Sequence, residues 1–273
     1  TVLASDTGAG LAGVDISVTG FMDYNLETDA DGSFSVLAYA GYTYDFELSK
    51  AGYDSFSGTI EVGHTALNLG EITLYETAYM PSDLVATIND TYTAVDLSWN
   101  APQVRGIEGY QIWRTELTVP TQRNEYGDWV AYVDHDQTSY TDESWQDLAD
   151  GYYIWIVQAQ YTADVISDPI YSNRLYKSNA DGLLAGFILD EADESPIAGA
   201  TITVDGEFTA ISSDTGAYNF SLAPGPHSLS VSHTYYEDSD ELSFVILPDE
   251  ITNLNIELES LPRVMVSGTA LAS

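Results

Sequence analysis

LAGVDISVTG at residues 11–20 returns as IAGATITVDG at residues 197–206, and the reading of the whole chain follows from that echo. Each copy opens with a small-residue turn and runs on with apolar and polar side chains in alternation, the period of a half-buried strand. The match continues downstream in order. TDADGSF at 28–34 answers SSDTGAY at 212–218, AGYTYDFEL at 40–48 answers PGPHSLSVS at 224–232, and LNLGEITL at 67–74 answers TNLNIEL at 252–258. Order and spacing kept over so long a stretch mark one fold used twice.

Further short alternating runs read as strands: 14–18, 34–37 (FSVL), 44–48, 95–99, 153–157, 201–204 and 228–232. Helical periodicity is nearly absent, so no crossover helices are available for a parallel sheet. The expected class is all-β, with three tandem Ig-like or prealbumin-like β-sandwich domains at residues 1–77, 80–177 and 182–259. Pro81 and the polar run 177–181 mark the joints.

Within each outer copy, Gly32 and Gly216 supply the positive φ that a tight hairpin needs. Gly13 and Gly199 follow the first turn, Asp29 and Phe34 match Asp214 and Tyr218 around the hairpin, Gly41 and Gly225 precede the next strand, and Gly52 with Tyr53 forms a further pair. This pattern resembles the carboxypeptidase regulatory-like family, which implies a transthyretin-like sandwich in an accessory role and brings no catalytic residues. The middle third is similar to a fibronectin type III domain. Trp99 stands for its core tryptophan, Tyr110 sits in the following strand, and Leu148, Gly151 and Tyr153 fit its tyrosine corner. No Arg-Gly-Asp triplet is present.

Charge restricts the partners. There are 43 Asp and Glu residues against 7 Lys and Arg, a formal net charge of −36. Phosphate backbones need clustered cations, and the two lysines, Lys50 and Lys177, are far apart in sequence, so nucleic acid is not an expected partner and anionic lipid is repelled. Such a surface suits high salt or divalent cations, and serves solubility equally well. Without cysteine there are no disulfides, thiolate metal sites or thiol nucleophiles. No run approaches a membrane-spanning length and no signal peptide is expected, so the segment reads as mature or excised and not membrane-embedded.

Chemistry-bearing motifs are sparse. His64, His135, His227 and His233 are scattered, and no HExxH, GxSxG or phosphate-cradling loop occurs. With so many carboxylates, acidic pairs nominate no glycosidase site. Asp29 and Asp31 are weak calcium candidates, since DADG resembles the opening of a calcium loop but lacks its later ligands; a hairpin turn explains it better. No other cofactor is expected. Asn89 and Asn219 head glycosylation sequons. Tyr152, Tyr161, Tyr171, Tyr235 and Tyr236 read as exposed strand positions that could serve subunit contacts or sugar stacking, though cross-strand and core pairing is the commoner use.

The ends of the sequence echo each other. VMVSGTALAS closes it and TVLASDTGAG opens it, so Thr269, Leu271, Ala272 and Ser273 repeat Thr1, Leu3, Ala4 and Ser5. The third domain opens LLAGFILD, with Ala185 and Gly186 in the places of Ser267 and Gly268. Residues 263–273 are therefore expected to be the first strand of a further repeat or a donor strand for the next subunit. Val264, Val266, Thr269, Leu271, Thr1 and Leu3 are the expected joint residues. The function expected is a non-enzymatic structural subunit or repeat of an extracellular filament, stalk or surface layer, assembled head to tail by strand addition at domain ends. Its partners would be copies of itself or adjacent repeats, with glycan a further possibility. The alternative is a carbohydrate-binding or accessory region of a large secreted enzyme or adhesin.

Overall fold

The computed structural model describes residues 1–104, 106–117 and 127–268. It is all-β, built from sandwich sheets, and among the described residues no sheet mixes strands from different thirds of the chain. The first third supplies β1 (Val2–Ala4), β2 (Asp15–Thr19), β3 (Tyr24–Glu27), β4 (Tyr42–Ser49), β5 (Phe56–Val62) and β6 (Ile72–Leu74). The middle third supplies β7 (Ser82–Ile88), β8 (Val95–Asn100), β9 (Ile107–Leu117), β10 (Asp128–Asp134), β11 (Ser139–Asp142), β12 (Gly151–Tyr161), β13 (Ile170–Tyr171) and β14 (Leu175–Lys177). The last third supplies β15 (Gly182–Asp190), β16 (Thr201–Val204), β17 (Phe208–Ile211), β18 (Ala217–Leu222), β19 (Gly225–Ser232), β20 (Leu242–Ile246), β21 (Ile251–Asn253) and β22 (Ile256–Leu258).

By compactness the chain divides into two units, and the cut passes through the middle third. One unit is Thr1–Ala86, Leu97–Tyr140 and Tyr153–Arg174; the other is Thr87–Asp96, Thr141–Tyr152 and Leu175–Ser273.

In the last third, β17-β16-β19-β20 form one sheet and β18-β15-β21 the other, with β22 also pairing β15. Alternation drives the inner faces together: Ile202 and Val204, Leu229 and Val231, and Leu184 and Ile188 are all buried in one cluster. The first third repeats the first of these sheets as β3-β2-β4-β5, with Ile16, Val18, Tyr44, Phe46 and Leu48 buried. Its second sheet is reduced to β1 beside β6, in parallel, with Val2 opposite Ile72.

The sequence echo has a hydrogen-bond counterpart. Thr28 Oγ1 accepts from the Val14 amide at 2.9 Å and donates to the Leu11 carbonyl at 2.6 Å. Ser212 does the same, accepting from the Ala200 amide at 2.9 Å and donating to the Ile197 carbonyl at 2.7 Å. Gly32 and Gly216 sit at φ 73° and 74° in matching turns, where a Cβ would meet the carbonyl of Val2 or of Ile188.

One expected strand is absent. Residues 34–37 form no strand, whereas the matching β18 pairs along its length with β15. A strand exists only where a neighbour accepts its ladder, and among the described residues none lies beside 34–37. Tyr161 also departs from the sequence reading: it is fully buried, not exposed. Its hydroxyl donates to the Tyr79 carbonyl at 2.9 Å, and burial pushes its pKa up to about 12.

Candidate assembly site

Among the described residues of the first sandwich, 34–38 and 67–69 border a groove with no strand between them. In the third sandwich β15 is long enough to pair twice. Its first half, Gly182–Phe187, runs antiparallel to β18 and beside β21 in parallel, and its second half, Ile188–Asp190, pairs with β22. In the first sandwich β1 matches only that second half. The positions matching β18 and β21 are Ser33–Ala38 and Leu67–Leu69, and neither is in a sheet.

What remains is a cavity of about 650 Å³ lined by Phe34, Val36, Leu37, Ala38, Val62 and Leu67, among others. Phe34, Ala38 and Val62 are only half-buried, where the matching Tyr218, Leu222 and Ile246 are buried. Leu37 is 96% exposed. Apolar side chains flanked by unladdered backbone form a surface on which an added strand gains both packing and hydrogen bonds.

The residues expected at a subunit joint fall on two segments. Thr1 lines the groove. Leu3 is already engaged on β1, opposite Thr73 and bridged to Gly10. Val264 and Val266 lie in a stretch, Pro262–Gly268, without secondary structure, and are 83% and 91% exposed. Thr269 and Leu271 lie outside the described residues. The groove residues Val36, Leu37 and Leu67 were not singled out from sequence. The signal was there in the match of FSVL to the β18 segment, but without a structure it read as an ordinary strand.

The linkers beside the middle third are held by specific bonds. Thr162 Oγ1 donates to the buried Glu76 carboxylate at 2.9 Å, and the Glu76 amide donates to Ser5 Oγ at 3.0 Å. On the other side, the Tyr92 hydroxyl donates to the Ser178 carbonyl at 3.0 Å, and Asn179 donates to the Leu148 carbonyl at 3.0 Å. Lys177, 2% exposed, places its ammonium 4.6 Å from the Tyr92 ring centre and 5.5 Å from that of Trp145. Burial lowers its pKa, and the Asp150 charge opposes that shift.

The remaining candidates do not converge. Asp31 caps its own turn: hydrogen bonds from Ser33 hold its carboxyl below the usual range. Asp29 joins the same turn through its backbone. Among the described residues no three His, Asp or Glu side chains group as a metal site. His227 sits 2.7 Å from Asp205 and stacks near Phe244. Asn89 spends its amide on a turn, donating to Thr93 Oγ1 at 3.0 Å and accepting from the Thr93 and Ala94 amides, while Asn219 is exposed. Trp99 is buried edge-on to Tyr110, and Tyr153 is buried at the start of β12. Among the described residues no helix is long and apolar enough to cross a membrane.

Residues 184–259 match the carboxypeptidase regulatory-like domain. Among solved structures, the chain is similar to the major pilin subunit of Bacillus cereus, BcpA, in its D312A form, at 15% identity over 94% of this chain and 97% of that one, with a TM-score of 0.36. It is also similar to the major pilin SpaD of Corynebacterium diphtheriae, at 10% identity over 95% and 96%, TM-score 0.28. A segment of two fibronectin type III domains from chicken tenascin matches at 15% identity over 61% and 98%, TM-score 0.28. No curated protein sequence matches.

Proposed function

We propose that this chain is a non-enzymatic structural subunit of an extracellular filament, stalk or surface layer, whose copies join head to tail by β-strand addition. The three-sandwich division at 1–77, 80–177 and 182–259 belongs to the same reading. The observation that carries it is the open groove on the first sandwich, set against its closed counterpart on the third. An exposed apolar segment, 264–268, is available to fill such a groove, whether it comes from another chain or from a further repeat. Burying Val264 and Val266 contributes about 1.5–3 kcal/mol each, and the new ladder satisfies backbone groups on both sides.

Electron microscopy and light scattering of the full chain and of a chain lacking 264–273 test this. Fibres or oligomers from the first and monomers from the second are expected. Assembly that survives the deletion would remove strand addition by the tail.

A second reading has one observation in its favour. Phe21 stacks on Tyr42 with ring centres 4.1 Å apart and meets Tyr39 edge-on, and all three rings are exposed. Such a cluster is a platform for sugar rings, and a polysaccharide pull-down that loses signal on Phe21→Ala would favour a carbohydrate-binding accessory region.

A further inference from the structure

Strand addition leaves open which residues enter the groove and in which register, and the third sandwich answers both. We infer, building on the filament reading, that the entering strand is Val264–Gly268 of a second copy, antiparallel to Phe34–Ala38 and parallel to Leu67–Leu69, with Ser267 between Ser35 and Leu69.

The register follows from β15. Ala185 stands opposite Asn219 of β18 and Asn253 of β21. The shared turn glycines Gly32 and Gly216, and the paired positions Ile72 and Ile256, put Ser35 in the place of Asn219 and Leu69 in the place of Asn253. The AG of β15 and the SG of the tail put Ser267 in the place of Ala185. In the same frame Met265 faces Leu37 and Leu67, and Val266 faces Val36 and Asn68.

Inward and outward faces then agree. Gly182, Leu184 and Gly186 point into the third sandwich, and Leu183 and Phe187 are exposed. Val264, Val266 and Gly268 take the inward places, and Met265 an outward one. A one-residue slip would turn both valines to solvent.

Gly268 gives an independent sign. A Cβ on Gly186 would run into the Leu254 carbonyl and lie 3.1 Å from the Tyr218 ring. Gly70 and Phe34 hold those places in the first sandwich, so the entering strand needs glycine there too. In the free tail nothing lies within 4 Å of a Cβ on Gly268, so the glycine has no packing role of its own. At the other end Val264 replaces the crowded Gly182. There a Cβ on Gly182 would meet the Ile246 side chain and the Leu247 and Glu250 carbonyls, and of these contacts the smaller Val62 bordering the groove eases the one with Ile246.

The chain has no cysteine, so disulfide trapping is clean. Directly opposed residues of an antiparallel pair lie within disulfide reach, and pairs two residues out of step do not. Two full-length variants are oxidised, Ser35→Cys with Ser267→Cys and Leu37→Cys with Ser267→Cys, while reduced samples are imaged in parallel. The expected result is a covalent ladder from the first pair only, and a Gly268→Ala chain that needs at least tenfold higher concentration to assemble. A ladder from the second pair only, or fibres with no ladder from either, overturns this register and leaves the filament reading standing. Cross-linked monomer without a ladder overturns the second copy as donor. Absence of any assembly overturns both.

Discussion

At the scale of single residues, the repeated fold is pinned by one hydroxyl per copy. Ser212 is buried and satisfies an amide and a carbonyl that would otherwise lie unpaired beneath the first turn. Ser212→Ala should therefore destabilise the third sandwich by about 1–3 kcal/mol, read as a lowered denaturation midpoint. Tyr218 makes a pH-dependent contribution. Its hydroxyl donates to the Leu254 carbonyl at 2.6 Å, and burial pushes its pKa up to about 12. Unfolded tyrosine releases its proton near 10. The stability tied to this group is complete below pH 10 and is lost as pH rises from 10 through 12, because the unfolded chain then holds fewer protons than the folded one. Thermal midpoints between pH 9 and 11.5 should fall less steeply in Tyr218→Phe than in the parent.

At the scale of elements, much of the fold was legible. Alternation located β2, β4, β8, β12, β16 and β19, and the two hairpin glycines announced their turns. FSVL at 34–37 shows where legibility stops. It has the composition of a strand and occupies a strand's place in the repeat, but pairing is a property of two segments, and its partner is not found beside it. Tyr161 was misread for a related reason, since a tyrosine at the end of a strand looks alike whether its ring meets water or a neighbouring linker. The tail's likeness to β15 makes it an expected strand start, although residues 262–268 carry no secondary structure here, whereas the groove depends on where Leu37 and Leu67 lie in space, which no single segment announces. Amide exchange on the unassembled chain should show 34–38 and 67–69 exchanging far faster than the matching amides of β18 and β21.

At the scale of the whole molecule, the charge of −36 bears on the proposed assembly of copies. Like-charged subunits repel at long range, and salt near 1 M shortens that range to about 3 Å. The concentration needed for assembly should therefore fall as sodium chloride is raised from 0.05 to 1 M, as read by light scattering. Contacts dominated by exposed ion pairs would show the opposite trend. The central claim, that the first sandwich is completed by a strand from the tail, is tested most directly on a chain lacking 264–273. A synthetic peptide of residues 262–273 is added, and amide exchange is followed at 34–38 and 67–69. Saturable protection confined to those amides, with a rise in the melting temperature, is the expected result. Exchange that stays unchanged at millimolar peptide would contradict it.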